Sequence, residues 1–475
     1  MATTGECKMP LSRRDFLNRS AVGAGVLLVG STAMLGTAPN SAGAGLAAGA
    51  GDGGPLGYGP LVDDPAGRLA LPSGFSYSIV TQAGVTTLES GEPTPSNHDG
   101  AGAFRSPHGG TVLVYNHELR EPLGAVPFPV PHLDGLVYDP GAAGGCTVVE
   151  TDHHGHRIRE HVGVAGTSTN CAGGVTPWGT WLTCEETEAL AGQGGMTKDH
   201  GYVFEVHPHD RRANRDPKPI KALGRYAHEA LAIDPVRGHF YLTEDAAGPN
   251  GLLYRWTPPR GLRAGAGGLR HLADDAGVLA AMKAHDGSGA HVDDLARATE
   301  VGTTYGVEWV PVPERDARTA STRKQFADSG ITRGRKLEGI WWGDHGAYVV
   351  TSFARSESPV PHDGQVWFYD PRRATLTLRL RFGVNPTPAV DGPFDGPDNI
   401  TVSPYGGVLL AEDGVGVQHL VGVTDGGEPY PLARNDVDDN EFAGPVFSPS
   451  KRILFVSLQT PGTLFAITGP WRHHP

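Results

Sequence analysis

Six times along the chain a short apolar run, a tight turn and a second apolar run follow one another, flanked by acidic residues or a cysteine. The clearest copies read Glu229-ALAIDPVRGHFYLT-Glu244, Asp398-NITVSPYGGVLLA-Glu412 and Cys171-AGGVTPWGTWLTC-Glu185. Looser copies are RSPHGGTVLVYNHE ending at Glu118, Glu338-GIWWGDHGAYVVTS and Glu441-FAGPVFSPSKRILFVS. In four copies the leading residue (Cys171, Glu229, Glu338, Asp398) stands six positions before the turn residue (Pro177, Pro235, Asp344, Pro404).

Two β-branched and aromatic runs joined by a Pro/Gly turn predict an antiparallel hairpin, in which the start of the first strand lies beside the end of the second. Third strands follow at Gly201-YVFEV, Gly251-LLYRW, Gly364-QVWFY and Gly462-TLFAI. The pattern predicts an all-β chain, a six-bladed β-propeller, with the leading and trailing residues gathered around one mouth of its channel. The strand near Phe75 is expected to complete the last blade and close the ring. Between Glu244 and Glu338 the spacing is widest, and the Ala-rich stretch LADDAGVLAAMKAH predicts a small helical insertion, either a lid over the mouth or a surface excursion.

Residues 1–50 read as a targeting segment and small-residue linker, leaving 51–475 as one propeller domain. Ser12-Arg13-Arg14-Asp15-Phe16-Leu17 before AVGAGVLLVGSTAML has the form of a twin-arginine export signal. The apolar stretch is short and rich in Gly and Ala, which disfavours an uncleaved anchor. The twin-arginine export machinery is thus an expected partner. No stable membrane insertion is expected after signal cleavage, and the destination is the extracellular space or cell envelope. The net charge of −13 argues against a nucleic-acid partner, and the chain offers no polybasic stripe for anionic lipid. Of four cysteines, Cys7 leaves with the signal, and Cys146, Cys171 and Cys184 cannot all pair with each other. Cys171 occupies the position held by Glu229, Glu338 and Asp398 elsewhere. It reads as a metal ligand, against a disulfide to Cys146 or a buried thiol.

A ring of carboxylates repels itself unless cations sit among them. Its single thiolate would select a transition metal among hard oxygen donors. The phrases Asn116-His117-Glu118, NCAGGVTPWGTWLTCEE, GRYAHEALAIDP, PDNITVSPYGG and NEFAGPVFSPSKRILFVSLQTPG together resemble the PhoX-type alkaline phosphatases. That resemblance implies a propeller carrying iron and calcium. It places metal ligands among Glu118, Cys171, Glu185, Glu186, Glu229, Glu244, Glu338, Asp398 and Glu412, with Cys171 on iron. The family carries an arginine and a proline before the glutamate matching Glu338. Here Arg335-Lys336-Leu337-Glu338 puts Lys336 in the arginine's place, a point charge instead of a planar fork.

The resulting expectation is metal-assisted hydrolysis of a small-molecule phosphate ester, a phosphomonoester, without a serine nucleophile. Lys336, Arg335 and Arg225 are the candidate charge stabilisers and His228 or His117 the candidate proton donors. Two rivals are a calcium-dependent lactonase-like hydrolase and a non-catalytic exported metal-binding propeller.

Overall fold

In each of the six repeated phrases the apolar runs pair as the innermost strands of one sheet. The inner strands are His98–Arg105, Asn170–Val175, His228–Ile233, Leu337–Gly343, Pro397–Val402 and Phe442–Phe447, here taken as heading blades one to six. Each packs beside the next, and the sixth packs beside the first, so the ring closes. The computed structural model describes residues 56–262 and 265–473. These form one compact all-β unit whose helices are all short 3-10 turns.

Closure is made by the N-terminal end of the described chain. Ser76–Gln82 is the outermost strand of blade six, antiparallel to Thr463–Thr468. Leu69–Pro72 extends blade five by pairing with Pro429–Asn435. Tying early residues to the last two blades makes opening the ring cost two sets of ladder hydrogen bonds. The strand near Phe75 is therefore where the sequence places it.

The expected helix is absent among the described residues. Val278–His285 is instead a strand, paired on one edge with Gly251–Thr257 and on the other with Thr304–Pro311. Ala, Leu and Met favour a helix by only a few tenths of a kcal/mol per residue. Ladder hydrogen bonds on both edges and burial of Leu279, Ala281, Met282 and Ala284 override that preference. Thr304–Pro311 also pairs with Thr375–Gly383 of blade four, so the insertion joins blades three and four through their outer edges instead of forming a lid.

One local device positions the site. In blades one to five the inner strand carries one extra residue at the same point: His98 pairs with His117 but Ala101 with Tyr115, and the same slip separates Asn170 from Gly173, His228 from Leu231, Leu337 from Ile340 and Pro397 from Ile400; in blade six it falls one residue later, between Ala443 and Val446. Such a bulge turns two successive side chains out of the regular alternation. The first bulged residues of blades one to five are Asp99, Cys171, Glu229, Glu338 and Asp398. The second, Gly100, Ala172, Ala230, Gly339 and Asn399, line an axial cavity of about 20 Å³ together with Gly444 and Pro445 of blade six. Small residues are needed there: a Cβ on Gly100 would stand 2.5 Å from the Ala172 Cα.

Candidate metal centre

Five of the six bulges present an acid or a thiol, and they converge. Ligand atoms of Asp99, Glu118 and Cys171 lie within 4.8 Å of one another, as do those of Cys171, Glu186 and Glu229, of Glu229, Glu338 and Asp398, and of Asp398, Asp413 and Glu441. Cys171, Glu229 and Asp398 are each shared by two such groups, so the four make one continuous arc. Asp99, Glu118, Cys171, Glu229, Glu338, Asp398 and Glu441 are all buried. In blade six the position level with them is the buried Ala443, followed by Gly444, whose φ is +59° and whose added Cβ would meet the Asp99 carbonyl oxygen at 2.3 Å. That blade sends in Glu441 and also Gln459, whose amide donates to Asp99 Oδ2 at 2.9 Å and to Glu118 Oε2 at 2.7 Å.

The donor set fits cations. The Cys171 thiol lies 3.0 Å from Glu229 Oε1 and 3.6 Å from Asp99 Oδ2. Burial, reinforced by the charges of Asp398, Glu186, Glu338 and Asp99, pushes the Glu229 carboxyl well above the usual range. Burial, with Asp99 and Glu229, pushes the Cys171 thiol up likewise. Glu229 Oε2 is buried with no hydrogen-bond donor in reach among the described residues. Converging carboxylates under such mutual repulsion are stabilised by divalent or trivalent ions. Cys146, Cys171 and Cys184 are all free thiols, so no disulfide competes for Cys171.

Of the residues expected as ligands, Glu118, Cys171, Glu186, Glu229, Glu338 and Asp398 lie in the arc. Glu185, Glu244 and Glu412 do not. Each pairs directly with the residue before the bulge (Asn170, His228, Pro397) and turns into its own blade. Glu185 accepts from His200 Nδ1 at 2.6 Å and from the amides of Ser168, Gly201 and Tyr202. Glu244 accepts from Tyr254 and Arg323, and Glu412 from His419 and the Asp395 amide. Burial holds both Glu244 and Glu412 up at about 7. The side chains that reach the mouth are those one residue later, because successive strand residues face opposite ways. These are Glu118, Glu186 and Asp413, with Asp245 close enough to act on Lys336.

The expected stabilisers also divide. Lys336 is in the site: its Nζ lies 2.6 Å from Glu338 Oε1 and 4.0 Å from Asp413 Oδ2. Burial lowers its pKa, but Glu338, Asp245, Asp413 and Asp398 outweigh that and hold it well above the ordinary lysine range. Arg335 turns to Glu357, 3.1 Å away. Arg225 is buried and donates to the carbonyls of Asp316, Glu188 and Ala317, pinning two loops. His228 donates through Nε2 to the Gly224 carbonyl, stacks on Tyr226, and is lowered to about 3 by burial. His117 is likewise enclosed, bonded to the Ser96 carbonyl and Thr147.

Sequence reasoning missed Asp99, Asp413 and Arg120 as site residues, and gave Glu441 only as the start of a phrase. Asp99 was discoverable: Asp99-Gly-Ala-Gly parallels Cys171-Ala-Gly-Gly, but the first strand of blade one is eight residues long where that of blade two is six. The longer strand breaks the six-residue spacing to the turn.

Comparison with known proteins agrees with the fold. The PhoX of Pseudomonas fluorescens, solved in complex with vanadate, a transition state analogue, superposes with a TM-score of 0.65 at 18% identity, covering 86% of this chain and 98% of its own. A gluconolactonase from Xanthomonas campestris is far less similar, with a TM-score of 0.36 at 12% identity over 87% of this chain and 98% of its own. No curated protein is similar enough in sequence to match the chain. The family model for alkaline phosphatase PhoX matches residues 56–462, and the chain therefore belongs to that phosphatase family.

Proposed function

We propose that this chain hydrolyses small phosphomonoesters at an iron- and calcium-bearing centre built on the arc from Asp99 to Glu441. The observation that carries the reading is the convergence of one thiol with carboxylates from all six blades at a single mouth. A soft thiolate suits iron and the hard carboxylates suit calcium. Cys171, with Asp99, Glu118, Glu186 and Glu229 around it, is accordingly the iron end. The group of Asp398, Asp413 and Glu441, all oxygen donors, is the calcium end. Bound ions of this kind supply Lewis acidity, neutralising charge on phosphate oxygens and making water a stronger nucleophile.

The chain's own residues do the rest. The bulges hold the donors on sheet strands, so the site is organised before substrate arrives. Below it the axial cavity is no larger than about one water molecule, so substrate meets the arc from the open mouth. Lys336 supplies a fixed positive charge at the Glu338 side, offsetting the acids against an incoming anion. A calcium-only lactonase-type site would gain nothing from a thiol at Cys171. The signal at Ser12–Leu17 lies outside the described residues. We propose on its sequence that the enzyme is exported folded by the twin-arginine route to the envelope or beyond.

The test is hydrolysis of a chromogenic phosphomonoester by protein exported by its own signal, with elemental analysis of the same sample. Activity should require iron, be lost with EGTA, and fall at least a hundredfold in Cys171→Ser as iron is lost. Full activity in iron-free protein would overturn the assignment.

A further inference from the structure

Arg120 is a cation in the mouth that none of the sequence signals single out. It follows Glu118 by two residues, where the chain leaves the second strand of blade one. Its Nη2 lies 2.6 Å from Glu118 Oε1 and 2.8 Å from Glu186 Oε2, and its Nε is 3.2 Å from Glu118 Oε1. The guanidinium thus spans acids from two adjacent blades. Its side chain is 47% exposed, whereas those of Glu118 and Glu186 are 3% and 7% exposed. Arg120 therefore caps the buried acids on their solvent side, where a substrate must approach.

Arg120 is itself paired with Glu118 and Glu186, but it is half-exposed, whereas Lys336 and Arg225 are buried and Arg335 is 20% exposed. The Lys336 ammonium is buried against Glu338, Arg335 faces Glu357, and Arg225 is consumed by backbone carbonyls. A planar guanidinium offers paired parallel donors that match two oxygens of a phosphoryl group, which an ammonium does not.

We propose that Arg120 is a catalytic residue that grips the phosphoryl oxygens of the substrate, supplying from blade one the planar fork that Lys336 lacks in blade four. The assignment rests on the phosphatase reading above and extends it to one residue. It accounts for how a site with lysine beside Glu338 keeps directional recognition of a tetrahedral oxyanion.

The experiment compares metal-loaded wild-type protein with Arg120→Ala and Arg120→Lys. Three quantities are measured on each: iron and calcium content, the Kd for inorganic phosphate by calorimetry, and kcat and KM for a chromogenic phosphomonoester. Metal content should be unchanged in both variants. In Arg120→Ala the phosphate Kd should rise at least tenfold, about 1.4 kcal/mol, with a matching loss in kcat/KM. Arg120→Lys should recover part of the affinity as a point charge. Phosphate affinity within twofold of wild type in Arg120→Ala would overturn the proposal. So would loss of metal in that variant, which would make Arg120 a brace for Glu118 and Glu186, or failure of the wild type to bind phosphate. Arg120-dependent phosphate binding without any hydrolysis would instead sink the phosphatase reading and leave this site standing.

Discussion

Replacing Glu229 with glutamine should stabilise the metal-free protein and weaken the metal-loaded one, a reversal that follows from its place in the arc. Its ligand oxygen lies within 4.8 Å of ligand atoms on Glu186, Glu338 and Asp398. At that separation and an effective dielectric constant of about 20, each like-charged pair costs about 3.5 kcal/mol. Three such pairs would cost about 10 kcal/mol, as much as a domain's whole stability. The metal-free site therefore takes up protons, and Glu229 is held well above the usual carboxyl range by burial and by Asp398, Glu186 and Glu338.

The sign follows from linkage. A carboxyl whose folded pKa is raised binds more protons folded than unfolded, so its contribution is complete below about 4.5 and is lost as pH rises. Glu229→Gln removes that loss. With one neighbour left charged at pH 8, the metal-free variant should exceed metal-free wild type by about 3 kcal/mol, and at pH 4 the two should be nearly equal. Bound ions reverse the order: each site filled at a hundred times its Kd adds about 2.7 kcal/mol, and glutamine weakens both groups that share position 229. The assay is guanidinium denaturation of chelated and metal-loaded protein at both pH values, with elemental analysis. Glu205→Gln is the control, since Glu205 accepts from Trp178 and Thr180 on an outer strand. Full metal content in Glu229→Gln, or a metal-free variant less stable than wild type at pH 8, would refute the reasoning.

Two further outcomes separate the blade-internal acids from the arc. His200 lies between Glu185 and Asp139. Burial lowers its pKa, but the two carboxylates outweigh this and raise it from 6.5 to about 9. Its contribution, about 3 kcal/mol at about 1.36 kcal/mol for each pH unit, is complete below pH 6.5 and lost as pH climbs through 9. Glu185→Gln should accordingly cost roughly 3 kcal/mol at pH 6 and much less at pH 10 in denaturant titrations, with iron and calcium content unchanged. A loss of metal would return Glu185 to the ligand set. Gly444→Ala should lower stability by on the order of 2 kcal/mol, because alanine at φ +59° is strained and its Cβ meets the Asp99 carbonyl. An unchanged thermal midpoint would mean that blade six can accept a side chain at the bulge.

Local chemistry in the sequence determined the six hairpins, their third strands, the closing strand near Phe75 and the concentration of acid and thiol at one end of each blade. Alternation and turn residues are short-range signals, and they survive into the fold because every blade uses the same ones. What only the tertiary structure decided turns on single-residue register and on contacts made across the ring. A slip of one position in a strand reverses the face a side chain presents, which is why Glu186 and Asp413 enter the arc while Glu185, Glu244 and Glu412 stay inside their blades. The Ala-rich stretch at 272–285 carries a helical pattern, yet partners far away in the chain, Thr304–Pro311 among them, complete its hydrogen bonds as a strand. Arg120 gives no signal at all in one dimension. Its meaning comes from Glu186, brought beside it only when blades one and two stand next to each other around a common axis.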